Sequence, residues 1–172
     1  MAEHPILFSG PMVRAILEGR KTQTRRGIRN PGRLDGLMLP GEAAQWCPYG
    51  HPGDLLWVRE TFAKRYADAE RDPADGIVYR VDGGCVIEPR WTPAIHMPRW
   101  ASRITLRITD VQVQRLQEIT ESDAAAEGCC TTWDDYPKQN REAFAELWDK
   151  INGKRAPWAS NPWIWAISFE RV

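Results

Sequence analysis

Apolar positions along this chain recur at two spacings, and these place its elements. Met12, Val13, Ile16 and Leu17 fall at helical spacing behind Pro11, and Gly19 stands where such a helix ends, so a short helix is expected over 11–18. LLWVRETF (55–62) and GIVYRV (76–81) are rich in β-branched and aromatic residues and read as strands. From Ser102, Ile104, Leu106 and Ile108 alternate with Thr105, Arg107 and Thr109, and Val111 and Val113 continue past Asp110. That is the pattern of a long strand with one wet face, bent near Asp110. Thr120 and Asp123 have the spacing of a capping box, opening an Ala-rich helix through Glu127 that Gly128 can close. Phe144, Leu147, Trp148 and Ile151 predict an amphipathic helix over 138–150, and WIWAISFERV from 163 alternates as a terminal strand.

This order lacks a regular strand–helix–strand repeat, which disfavours a parallel doubly wound sheet. The expected class is α+β, a small mixed β-barrel with attached helices. Residues 27–53 carry ten prolines and glycines and read as a long surface connection. At 172 residues, against about 150 per domain, a single domain over 1–172 is expected. A 42% hydrophobic and 27% charged composition excludes a wholly disordered chain. No apolar run reaches the roughly 18 residues of a membrane helix, and MAEHPILFSG has neither a basic start nor a long apolar stretch. A cytoplasmic protein without membrane partners is expected. Cys47, Cys85, Cys129 and Cys130 show no C-x-x-C spacing and read as reduced thiols.

The 23 basic and 23 acidic residues cancel only in total. Residues 1–33 hold seven cations against Glu3 and Glu18, while 116–150 hold nine acids against three cations. A neutral chain can therefore still present an anion-binding face. The densest chemistry is GRKTQTRR (19–26). It is either a solvated basic loop or a site. Lys21 and Thr24 would diverge on a flat strand and converge only on a turn or helical segment. If they converge, Arg20, Arg25 and Arg26 would lower the lysine pKa. A neutral amine could then take the Thr24 proton, giving a nucleophile pair suited to acyl transfer with cations for an oxyanion.

Other motifs are weaker. Cys47 and His51 form one C-x-x-x-H without a second ligand pair, so no metal is expected. Walker or Rossmann glycine loops and a G-x-S-x-G elbow are absent. Alternation sends Trp57 and Arg59 to one face. They are either a core tryptophan with a surface cation or a base-stacking ring beside a phosphate-binding arginine. Arg90, Arg99, Arg103 and Arg107, interleaved with Trp91 and Trp100, offer the same two readings. Trp148, Trp163 and Trp165 read as core. Glu127, an acid ending an Ala-rich turn, is ordinarily solvated, and Cys129 and Cys130 read as small core residues.

MVRAILEGRKTQTRR, CPYGHPGDLLWVRETF, IHMPRWASRITLRITDVQVQRL, ITESDAAAEG and LWDKING with NPWIWAISFERV together resemble the ASCH-domain family. These are small β-barrel proteins related to the PUA RNA-binding domain, and the resemblance is to longer phage and prophage-type members. It is carried by G-x-K-x-x-T-x-R at Gly19, Lys21, Thr24 and Arg26, combined with G-D-x-L at Gly53 to Leu56. Compact members are amidohydrolases that deacetylate N4-acetylcytidine. The resemblance implies Thr24 as nucleophile, Lys21 as its base and Glu127 as proton carrier or orienting acid; Arg26, Trp57 and Arg59 are expected to line the same pocket and bind substrate. It implies no metal or other cofactor, and a modified nucleoside or RNA as partner rather than DNA. Protein partners stay open. The alternative is an RNA-binding module or ribonuclease without amidohydrolase activity. This chain departs from the compact enzymes in its 27–53 connection, its Arg/Trp segment near 90–103 and its Trp-rich C-terminus.

Overall fold

The structure, a computed structural model, describes residues 1–29, 32, 40–64, 76–83, 90–129 and 140–172. Its elements are β1 (Glu3–Leu7), α1 (Gly10–Leu17), β2 (Gln23–Gly27), α2 (Pro40–Ala43), β3 (Leu55–Arg59), β4 (Phe62–Lys64), β5 (Ile77–Tyr79), β6 (Thr105–Arg115), α3 (Glu121–Ala126), α4 (Asn140–Asn152) and β7 (Trp163–Arg171). β1, β3, β6, β7 and β2 form one sheet in that order, and β4 pairs with β5 in a second. β1 runs parallel to β3, and the other pairs are antiparallel.

The class is α+β, as the hydrophobic pattern requires. The expected barrel is not closed by strand pairing among the described residues. β1 and β2 are the two edges of the five-stranded sheet. Those edges meet through a side chain instead, because Arg26 Nη2 donates to the Leu7 carbonyl at 2.6 Å. α1 connects the two edge strands and buries Val13, Ala15 and Ile16.

β6 keeps its alternation but shifts register between Ile108 and Asp110, the irregularity that Asp110 announced. β7 is buried on both faces. Trp165, Ile167 and Phe169 join Ile6, Phe8, Leu56, Val58 and Leu106 in the main core. Ile164 and Ala166 pack on the other side with Leu116, Ile119, Ala124, Phe144 and Trp148. β7 is thus an interior strand, paired with β6 on one side and β2 on the other and packed on both faces.

Three expectations need correction. The strand expected over 55–62 ends at Arg59, because Glu60 turns inward and is 3% exposed; β4 then starts at Phe62. The strand expected over 76–81 keeps only Ile77–Tyr79 and tightens into a 3₁₀ turn, Arg80–Asp82. In the long connection, residues 30, 31 and 33–39 lie outside the described residues, but 40–46 hold α2 and a 3₁₀ turn, anchored by buried Ala43 and Cys47. The helix expected from 138 is described from Asn140, and residues 138 and 139 lie outside the described residues. Cys47 and Cys129 are free thiols; Cys85 and Cys130 also lie outside. No helix among the described residues is long and apolar enough to cross a membrane.

Candidate active site

Three local devices converge at the free edge of β2. After α1 the chain turns back, so that Lys21 N donates to Ala15 O and Lys21 pairs with Glu127 as an isolated bridge. Beyond it, Phe169 N donates to Thr22 O and Ile28 N to Trp163 O, which ties β2 to β7 on one side. On the other side, the capping box is formed as expected: Thr120 Oγ1 accepts from Asp123 N and Asp123 Oδ2 accepts from Thr120 N, each at 3.1 Å. α3 is thereby fixed, and Glu127 becomes its C-cap residue. Gly128 follows at φ +85°, and a Cβ there would stand 3.1 Å from Ala15 and 3.3 Å from Lys21. Glycine is needed for both the backbone angle and the close approach.

The result is a buried ion pair. Lys21 Nζ donates to Glu127 Oε2 at 2.5 Å, to Glu127 O at 2.9 Å and to Gln23 O at 2.8 Å. The lysine side chain has no exposed area and that of Glu127 only 4%. Burial pulls the Lys21 ammonium below its ordinary pKa, Glu127 opposes that pull, and Arg26 adds to it. The expected contributions of Arg20 and Arg25 are not the cause. Arg20 spends its charge on Glu18, and Arg25 on Glu127 and Asp123. Three acceptors around one nitrogen account for all three N–H groups of an ammonium, so the resting amine has no lone pair free.

Thr24 is 3% exposed and lines a cavity of about 350 Å³ together with Glu127, Arg25 and Arg26. Its hydroxyl has no hydrogen-bond partner among the described residues, and no bond joins it to Lys21. Phe8, Phe144 and Trp148 give the cavity an apolar wall. The Phe8 ring lies 5.6 Å from Lys21 Nζ and 5.2 Å from the Arg26 guanidinium. The structure thus brings Lys21 to Glu127, and Thr24 and Arg26 to the same cavity.

It does not bring Trp57 or Arg59 there. Leu56 and Val58 face the core, so the alternate residues of β3 face away from it. Arg59 lies over Trp57 at 5.3 Å and donates to the carbonyls of Met97 and Ile95. The Arg/Trp segment is likewise engaged. Arg99 pairs with Glu3, Arg103 with Glu60 and Asp82, and Arg107 with Glu170. His51 is held by Gln45 O and lies 3.6 Å from Asp54, and burial pushes the Cys47 thiol up. Among the described residues no group of three or more His, Cys, Asp or Glu could hold a metal ion.

Arg25 was visible in sequence only as one more cation. Its side chain is 1% exposed; Nη1 donates to Gln23 Oε1 at 2.5 Å and to Glu127 Oε1 at 3.5 Å, and Nη2 faces Asp123 at 3.2 Å. Arg25 Nε and Nη2, and Arg26 Nε, are buried without a hydrogen-bond acceptor. The available signal was the alternation in QTRRG, which places Gln23 and Arg25 on one face and Thr24 and Arg26 on the other.

No family model matches this chain, and no curated protein matches it. Among solved structures it is similar to an ASCH domain from Lactobacillus crispatus, with a TM-score of 0.49 and 14% identity over 99% of this chain and 79% of that one. It is also similar to an Enterococcus faecalis protein of the family model DUF984, with a TM-score of 0.47 and 15% identity over 100% of this chain and 77% of that one.

Proposed function

We propose that this protein is an amidohydrolase that removes the acyl group from N4-acylated cytidine. The reading rests on the motif resemblance at Lys21, Thr24 and Glu127. The observation that carries it is the buried Lys21–Glu127 pair beside a cavity into which Thr24 brings an unengaged hydroxyl.

With three protons on its nitrogen, Lys21 cannot begin as a base. Moving one proton across the 2.5 Å contact to Glu127 leaves a neutral amine and a protonated carboxyl. The amine, turning from Gln23 O, takes the Thr24 hydroxyl proton as the threonine oxygen bonds to the acyl carbon. Charge developing on the acyl oxygen is met by the neighbouring guanidinium of Arg26. On collapse the C–N bond breaks, and the leaving exocyclic nitrogen takes the proton from Glu127, releasing cytidine and leaving an ester on Thr24. Water then gives a proton to the Glu127 carboxylate and attacks the ester. The carboxylic acid departs, Thr24 regains its proton from Lys21, and Glu127 returns one to the lysine.

The test follows the ultraviolet change of N4-acetylcytidine with purified protein. Hydrolysis is expected, with a loss of about 10³-fold or more in Thr24→Val and in Lys21→Met. Full turnover in both folded variants would overturn the mechanism.

A further inference from the structure

A second cavity, of about 740 Å³, opens beside the candidate active site and shares Arg26, Gly27, Trp148 and Asn152 with it. Its other walls include Arg29, Arg155 and Tyr49. No acidic residue is among its described lining residues. Arg29 and Arg155 are exposed, and neither guanidinium has a carboxylate or carbonyl partner among the described residues. Among the described residues the same holds for Arg80 and Arg90, but neither lines this cavity. Arg20, Arg25, Arg99, Arg103 and Arg107 each stand within 3.5 Å of a carboxylate. Arg26 reaches both cavities, and its buried Nε has no acceptor.

Arg29 and Arg155, without a counter-acid among the described residues, stand with Arg26 in one concave wall and concentrate positive potential there. The guanidinium fork matches the oxygens of a phosphate. We propose that this cavity is a phosphate subsite, so that the substrate is a phosphorylated form of the acylated cytidine. The placement of the base rests on the reading above. With the amide at Thr24 and Glu127, the ribose would pass Arg26 and Gly27 and its phosphate would meet Arg29 and Arg155. A nucleoside monophosphate and an RNA chain carry this same group.

The experiment titrates full-length Thr24→Val protein with cytidine, its 5′- and 3′-monophosphates and a single-stranded oligoribonucleotide, at 50 and 200 mM salt. A monophosphate is expected to bind about tenfold more tightly than cytidine at the lower salt, the worth of one charge-assisted hydrogen bond. Arg29→Gln with Arg155→Gln should erase that preference, and the higher salt should reduce it. An oligonucleotide that binds more tightly than either monophosphate identifies an RNA chain as the source; one that binds less tightly identifies a free nucleotide. Equal binding of cytidine and both monophosphates overturns the subsite, as does a preference that survives the double variant. The two readings fail separately. Monophosphate preference in a protein that hydrolyses no acylcytidine would sink the hydrolase and leave the subsite, and hydrolysis without that preference would do the reverse.

Discussion

Among the described residues two glutamates are buried, Glu60 and Glu127, and they are treated differently. Glu60 is gripped from both oxygens by Arg103, at 3.0 and 3.1 Å, and the same guanidinium holds Asp82 and lies 3.8 Å from the Tyr79 ring. Burial pushes the Glu60 carboxyl up while Arg103 pulls it down. Tyr79 in turn donates to Ala101 O. This cluster uses its hydrogen bonds to clamp β5 and the following 3₁₀ turn to the start of β6. Around Glu127 more is left open: Arg25 Nε and Arg26 Nε lack acceptors, and the Thr24 hydroxyl is unengaged. A cavity does not separate the two, because Glu60 borders one of about 360 Å³ with Arg14 and Arg80. Nor does charge burial, which stabilises weakly at best once desolvation is counted. Unspent donors and a spare nucleophile are what distinguish a candidate active site from a clamp.

The largest expected effect tests that contrast directly. Glu127→Leu strands Lys21, whose side chain is wholly buried, and should cost about 3–5 kcal/mol in urea unfolding. Adding Lys21→Met should recover much of it without restoring activity, since the unpaired charge is then gone. Glu60→Leu leaves Arg103 a quarter exposed and still paired with Asp82, so the loss should be nearer 1.5–3 kcal/mol, the worth of bonds to a charged group. A larger loss from Glu60→Leu than from Glu127→Leu would reverse the assignment of roles.

Next in size are two glycines, one beside each cluster. Gly83 follows Asp82 at φ +66° with open space where a Cβ would go, so Gly83→Ala should cost only the left-handed strain of about 1 kcal/mol. Gly128→Ala adds contacts at 3.1 and 3.3 Å to the same strain, and one of them is on Lys21. It should destabilise by roughly 1 kcal/mol more and should lower hydrolysis, whereas Gly83→Ala leaves hydrolysis intact. Urea midpoints and turnover measured together decide it. Equal losses in both would mean that the Lys21 approach is not tight.

Such features were legible in sequence wherever their cause was local. Pro11 and Gly19 bracket α1, Thr120 and Asp123 open α3, and the break in alternation at Asp110 marks the β6 register shift, all within a few residues. The early end of β3 was not legible, because the partner that draws Glu60 inward is 43 residues away. Lys21 and Glu127 are 106 residues apart, so no spacing rule links them; only the motif resemblance placed them together. Arg25 stayed hidden for the same reason, since its acids lie on α3 and at its cap. Alternation places Trp57 and Arg59 on one face of β3, but it does not say which face borders a cavity.

The smallest effect is a difference in pH slope between the clusters. The folded Glu60 carboxyl titrates above its ordinary 4.5, so just above that pH the folded state holds the extra proton. Its contribution is present below 4.5 and is lost as pH rises through the folded value. Lys21 titrates below its ordinary 10.5, so just under that pH the unfolded chain holds the extra proton. Its contribution is therefore full above 10.5 and is lost as pH falls through the folded value. Subtracting the stability profile of Glu60→Gln from that of the parent should leave a falling step on the acid side. Subtracting that of Lys21→Met should leave a rising step on the alkaline side. The two steps have opposite signs because burial favours the neutral form in each case, and that form is the protonated one for a carboxyl and the deprotonated one for an amine. If the Lys21 difference instead falls with rising pH, Glu127 outweighs burial. The amine would then be held as an ammonium too firmly to serve as the base.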